Sequence, residues 1–319
     1  MLEFKKDGLK AAIFLAPSML LMLVFTFWPI INALIMAFLE DYNFLGNYCP
    51  PGDTECETRY DYFVSGDFTG IGFKNFVDVL TDNLFWHALK NTAIMVVISV
   101  PLTVIIGLAI AVGMNSIKKL QGVYQIIFFL PYVTNTIALG LVFRSLFHTD
   151  YGLINQIFGF SYSWVHSGAT YWRAMLVLMV YTVWDGLAFK IIVFLSGLQS
   201  IDKQYYQAAQ IDSTPRGRVF TKITVPLLSP MILYITITSF IGAFKAYSSV
   251  IAIFNRGSDK YGPVGDDKML YTIVGYIYDI IGDSGSPFGK GAAASIILFA
   301  IIMLITLVQF QVSKKRVHY

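Results

Sequence analysis

Charged side chains are scarce in this sequence. Asp, Glu, Lys and Arg make up 13% of its 319 residues, about half the share usual in soluble globular chains. The net charge is only +3. A disordered chain, which combines low hydrophobicity with high net charge, is therefore excluded. No dense Lys or Arg run lies on a polar stretch, so nucleic acid is not an expected partner. Two cysteines are too few for a disulfide scaffold. Catalytic signatures are missing as well. The string GSPFGKG at Gly285 to Gly291 has the wrong glycine spacing for a phosphate loop and puts Gly291 where a magnesium-binding Ser or Thr is needed. No GxSxG, HExxH or GxGxxG string occurs. His87, His148, His166 and His318 have no close Cys or His neighbour in sequence, so no metal site is expected. An enzyme reading has no constellation to stand on.

What the sequence has instead is apolar length. Hydrophobic residues are 56% of the chain, and a helix needs about 20 of them in a row to cross a hydrocarbon layer about 30 Å thick. Six runs qualify, near residues 11–39, 89–114, 123–146, 174–198, 226–254 and 291–312. They are continuous rather than alternating, which excludes a transmembrane β-barrel. The fold class expected is all-α, a polytopic bundle of about six membrane helices forming one domain over 1–319. Pro29 is expected to kink or end the first helix and Pro131 to interrupt the third. The first run is too long for the apolar part of a cleaved signal peptide and is read as a retained helix.

Basic residues orient the bundle. Lys5, Lys6 and Lys10 precede the first run, and Lys118 and Lys119 join the second to the third. Lys203, Arg216, Arg218 and Lys222 join the fourth to the fifth, and Lys314, Lys315 and Arg316 follow the sixth. All of these fall on one side of a six-helix path, so both termini are expected in the cytoplasm of a multi-pass protein of the cell membrane. The acidic loop 40–87 then faces out. It carries both cysteines in the string CPPGDTEC, and a turn on Pro50, Pro51 and Gly52 brings a Cys49–Cys56 disulfide within expectation.

The loop 199–225 carries more structure than a connector requires. It reads as two short helices about a turn, with Ala208 and Ala209 small enough for another surface to approach. Thr214 is expected to cap the second helix, with Pro215 in its first position. Val219, Phe220 and Ile223 make an apolar stripe there, with Arg216, Arg218 and Lys222 on the wet side. Taken alone, such a segment also fits an amphipathic connector lying on the membrane surface.

This segment resembles the cytoplasmic signature of the permease subunits of binding-protein-dependent ABC importers, in the carbohydrate branch typified by maltose and glycerol-3-phosphate permeases. The signature runs Glu-Ala-Ala, three residues, Gly, then Ile-x-Leu-Pro. Here Tyr206 precedes Gln207, Ala208 and Ala209, followed by Asp212, Phe220, Ile223, Val225 and Pro226 at matching spacing. Gln207 replaces the Glu and Ser213 the Gly. The likeness continues through FLAPSMLLMLVFTFWPI, FKNFVDVL, FFLPYV, YGLIN, YTIVGYIYD and GAAASIILF, nearly the whole chain.

The resemblance implies a type I ABC importer permease fold, with 199–225 as a coupling loop that docks on a separate ATPase. ATP and Mg would then be bound by that partner, with no cofactor in this chain. It implies an ATPase dimer, a second permease subunit and an extracytoplasmic solute-binding protein as partners, with membrane lipid around them and a sugar or oligosaccharide as cargo. The two departures imply an asymmetric pair whose second permease carries the fuller signature. By the same resemblance, substrate-contacting positions map onto Thr182, Gly186 and Phe189 and onto Phe244, Lys245, Tyr247 and Ser248.

Charges inside membrane helices are costly, about 2.5–3.5 kcal/mol each on insertion scales. Asp185 and Lys190 are five residues apart and poorly placed to pair on one helix. Lys190 is expected to snorkel to the cytoplasmic surface and Arg144 to the outer one. Asp185 reaches neither surface easily, and its depth matches that of Lys245, so an Asp185–Lys245 pair between helices is expected. Such a pair either satisfies itself in the bundle or lines a transport cavity. A secondary carrier driven by ions, with Asp185 as coupling carboxylate, is the alternative. No inverted repeat supports it, and such carriers do not need a structured loop like 207–226.

Overall fold

The computed structural model describes residues 2–42, 70–117, 119–166, 168–254, 268–282 and 288–314. Cys49 and Cys56 lie outside these, as do most of the outer loop 40–87 and the stretch from Lys315 onward. The chain divides into two compact units, residues 1–83 with 277–300, and residues 84–276 with 301–319.

In the first unit, α1 (Leu2–Met22) passes through a π-helical turn at Leu23–Phe27 into α2 (Trp28–Phe38). Pro29 stands at the start of α2, directly after the π-helical turn, and the helix continues through it as one apolar span from Lys10 to Phe38 rather than ending there. A two-residue strand β1 (Leu39–Glu40) pairs antiparallel with β2 (Gly70–Ile71), Leu39 opposite Ile71 and Glu40 opposite Gly70. Helix α3 (Lys74–Thr81) follows. The buried Asn75 amide donates to the carbonyls of Ala37 at 3.0 Å and Leu39 at 2.8 Å, satisfying groups that the end of α2 leaves open. Lys74 meets Asp41 at 2.7 Å and Lys290 meets Asp82 at 3.0 Å.

The second unit holds the long helices α4 (Asn83–Ser116) and α8 (Tyr171–Ser200). Between them come α5 (Gln121–Val133), α6 (Thr136–Leu146) and α7 (Leu153–Phe158). The third apolar run is thus two helices bent by 97°. The break comes after Pro131, at Asn135, whose side chain accepts from the N–H groups of Ile137 at 2.8 Å and Ala138 at 3.4 Å and so caps α6. After α8 come α9 (Lys203–Ile211), α10 (Arg216–Val219), a π-helical turn at Phe220–Thr224 and α11 (Val225–Leu227). Next are α12 (Ser229–Phe244) and α13 (Ser248–Phe254), then α14 (Ile273–Gly282) and α15 (Phe288–Lys314), whose residues 277–300 belong to the first unit. The fifth run is therefore not one helix. A 67° bend separates Arg216–Leu227 from Ser229–Phe244, next to Pro226 and Pro230, which lack the N–H a continuous helix would use. A second break follows Phe244.

Among the described residues, four helices are long and apolar enough to cross a membrane, or six if each bent pair is one span. Helix α6 packs closely on α13. A Cβ on Gly140 would collide with that of Ala252, so glycine is what allows this approach. An apolar core fills the space where the later turns of α4 and α8 meet the start of α12. Ala111, Met114, Ile191, Phe194, Leu195, Leu198, Leu228 and Ile235 are all buried there.

Candidate functional site

Above that core the same three helices change character. In the preceding turns of α4, Ser99 and Thr103 replace aliphatic side chains; on α8 come Tyr181, Thr182, Asp185, Gly186, Phe189 and Lys190; on α12, Thr238, Ser239, Gly242 and Ala243. Tyr132 of α5, Thr136 of α6, Ala246 and Ser249 complete the wall of a cavity of about 470 Å³, within the range of small-molecule sites.

The wall offers three kinds of contact. Tyr132 and Phe189 lie nearly parallel, with ring centroids 5.9 Å apart, an apolar platform that a ligand can cover. The hydroxyls of Thr103, Thr182 and Thr238 donate to carbonyls one turn back on their own helices, at 2.6, 2.8 and 2.8 Å, leaving oxygen lone pairs for a ligand. Among the described residues, Ser99 Oγ and Tyr181 OH are buried without a hydrogen-bond partner, a state buried polar groups rarely keep. Asp185 and Lys190 supply the charges.

Lys190 differs from expectation. It is buried rather than snorkelled, and its Nζ donates to the Gly186 carbonyl at 2.9 Å. Two glycines make this posture possible. A Cβ on Gly186 would lie 3.0 Å from Nζ, and one on Gly107 of α4 would lie 3.3 Å from the Lys190 Cβ. The charge acting on Asp185 is that of Lys190 on its own helix, not that of Lys245. The Asp185–Lys245 pair does not form, because α12 ends at Phe244 and Lys245 sits exposed in the following turn.

Of the expected pathway positions, Thr182, Asp185, Gly186 and Phe189 line the cavity. Phe244 is buried, while Lys245, Tyr247 and Ser248 lie outside the lining. The fifth run instead contributes the face at 238, 239, 242, 243, 246 and 249. Its small and hydroxyl residues at helical spacing were the available signal. Ser99, Thr103, Tyr132, Thr136 and Tyr181 were also missed, because isolated hydroxyls in apolar runs carry no pattern of their own.

The segment between α8 and α12 has the two short helices expected. Asp202 caps α9 by accepting from the Gln204 N–H at 2.9 Å. Ala209 is buried, whereas Gln207, Ala208 and Asp212 face outward beside Tyr205, 52% exposed, and Ile211, 85% exposed. Ser213 turns the chain at φ +48°. The second helix starts differently from expectation. Pro215, in extended conformation, is itself the N-cap, with no side-chain cap, and the preceding Thr214 N–H turns back to the Ala209 carbonyl at 2.9 Å. Arg216, Arg218 and Lys222 are exposed, and Val219, Phe220, Ile223 and Pro226 are partly buried. Tyr206 OH and Thr224 Oγ1, 3.3 Å apart, share a hydrogen bond that ties α9 to the turn beyond α10.

Residues 103–318 match the family of binding-protein-dependent transport system inner membrane components. The lactose transport system permease protein LacF of Rhizobium radiobacter is 28% identical over 95% of this chain and 94% of its own. The arabinooligosaccharides transport system permease protein AraP of Bacillus subtilis is 29% identical over 94% and 87%. A crystal structure of a bacterial alginate ABC transporter, in complex with a periplasmic protein carrying an alginate pentasaccharide, contains a chain similar in fold. Its TM-score is 0.72 at 20% identity, over 98% of this chain and 96% of that one.

Proposed function

The chain belongs to the binding-protein-dependent transport system inner membrane components, the non-catalytic membrane subunits of ABC importers, and from that premise we propose that it carries a sugar or oligosaccharide into the cell. The observation that carries this reading is an adjacency along two helices. α8 and α12 line the cavity, and the exposed segment 199–225 is the chain that joins them. A force applied to that segment reaches the cavity walls directly.

The cavity suits a saccharide. Hydroxyls and the Asp185 and Lys190 heads supply donors and acceptors, and the Tyr132 and Phe189 rings can cover a sugar face. Segment 199–225 and both termini lie in the cytoplasm, where the outward Tyr205, Ala208 and Ile211 of α9 meet an ATPase dimer that binds ATP and Mg. Phe244, Lys245, Tyr247 and Ser248 follow the cavity wall and border the route to it. A second permease subunit completes the pathway, and an extracytoplasmic binding protein delivers the cargo to loops that include 40–87.

Photoreactive residues at Tyr205 and Ile211 test the coupling role. Irradiation in cells is expected to capture a nucleotide-hydrolysing subunit, with capture depending on nucleotide state. Uptake that continues without that subunit and stops when the ion gradient is dissipated would sink the reading in favour of a secondary carrier.

A further inference from the structure

We propose that Asp185 and Lys190 act together as a charge filter, so that the cavity accepts uncharged saccharides and rejects those bearing carboxylates or phosphates; this rests on the transport reading above. Among the described residues these two are the only charged side chains in the lining, and they sum to zero. The Lys190 ammonium already donates to the Gly186 carbonyl at 2.9 Å. The Lys190 Cβ lies beside Gly107, where a methyl group would come within 3.3 Å of it.

An anionic sugar entering this space leaves its hydration shell, meets no net positive charge and faces the Asp185 carboxylate. Burying a charge on those terms is unfavourable. A neutral sugar meets the opposite situation. Among the described residues no donor holds the Asp185 carboxylate, so it accepts from sugar hydroxyls, while the remaining Lys190 N–H groups donate to sugar oxygens. Both kinds of bond are charge-assisted and add no net charge. The pair is therefore specificity-determining through its sum rather than through either member.

The test measures equilibrium binding to the full-length chain in lipid nanodiscs, using matched panels of neutral, uronate-bearing and phosphorylated oligosaccharides of two to five units. The wild-type chain is expected to bind at least one neutral probe tenfold or more tightly than any acidic analogue. Asp185→Asn, which leaves Lys190 uncompensated, should move that ratio tenfold or more toward the acidic probes. Lys190→Met should move it further from them. The double variant Asp185→Asn/Lys190→Met, neutral again, should return to the wild-type preference. Acidic probes held as tightly as neutral ones by the wild type, or a ratio unmoved by either single change, overturns the filter alone. Failure of the wild type to bind any saccharide removes the sugar reading, and the filter with it.

Discussion

His166 is held among groups that disfavour its cation. Its ring is partly buried, edge-on to His148 at 4.4 Å, and His148 is stacked on Tyr151 at 3.5 Å. Burial first, then the charges of His148 and Arg144, lowers its pKa from the ordinary 6.5, with Asp150 opposing. A base depressed in the folded state takes up protons first in the unfolded chain. Its contribution to stability is thus intact above about pH 6.5 and lost as pH falls from there through the folded value. Ring titration by NMR is expected to give a midpoint below 6.5, with amide protection factors near 163–166, corrected for the intrinsic pH dependence of exchange, falling on acidification, and His166→Gln should flatten that pH dependence. Residue identity foretold some of the site but not its postures. Asp185 was visible in the sequence as a carboxylate inside an apolar run. The burial of Lys190 depends on Gly186 one turn back and on Gly107 from another helix, a coincidence that spacing along one run does not encode.

At the level of single elements, the turn between α9 and α10 holds a non-glycine residue in the left-handed region, Ser213 at φ +48°. A Cβ there costs about 1 kcal/mol. Ser213→Gly is expected to raise the midpoint of thermal unfolding by a few degrees at most, since glycine also gains entropy in the unfolded chain, while transport stays coupled to ATP hydrolysis. A fall in the midpoint would show that the serine is not strained. The helices themselves were legible because uncharged length is a strong signal. The breaks within them were less so. Pro131 marks an interruption whose actual point is Asn135, chosen by the cap it provides. Nothing in the composition of 226–254 shows that the helix stops at Phe244 and restarts at Ser248.

On the scale of the whole molecule, the distribution of basic residues predicts sidedness. In a chain with Cys49 and Cys56 replaced by Ser, single cysteines at Lys6 and Gln210 should react with an impermeant thiol reagent only after the membrane is opened. One at Asp78 should react in intact cells. Labelling of Gln210→Cys from outside would invert the topology and remove the cytoplasmic ATPase contact.

The apolar core below the cavity bears on how cargo leaves. Toward 199–225, the space beneath Asp185 and Thr103 is filled by Phe194, Leu195 and Leu198 against Ala111, Met114 and Leu228. If cargo passes in that direction, it wets these faces, at roughly 1.5–3 kcal/mol for each large side chain moved from contact to water. If 199–225 is the handle proposed above, a pull on it acts on this packed region before it reaches the cavity wall.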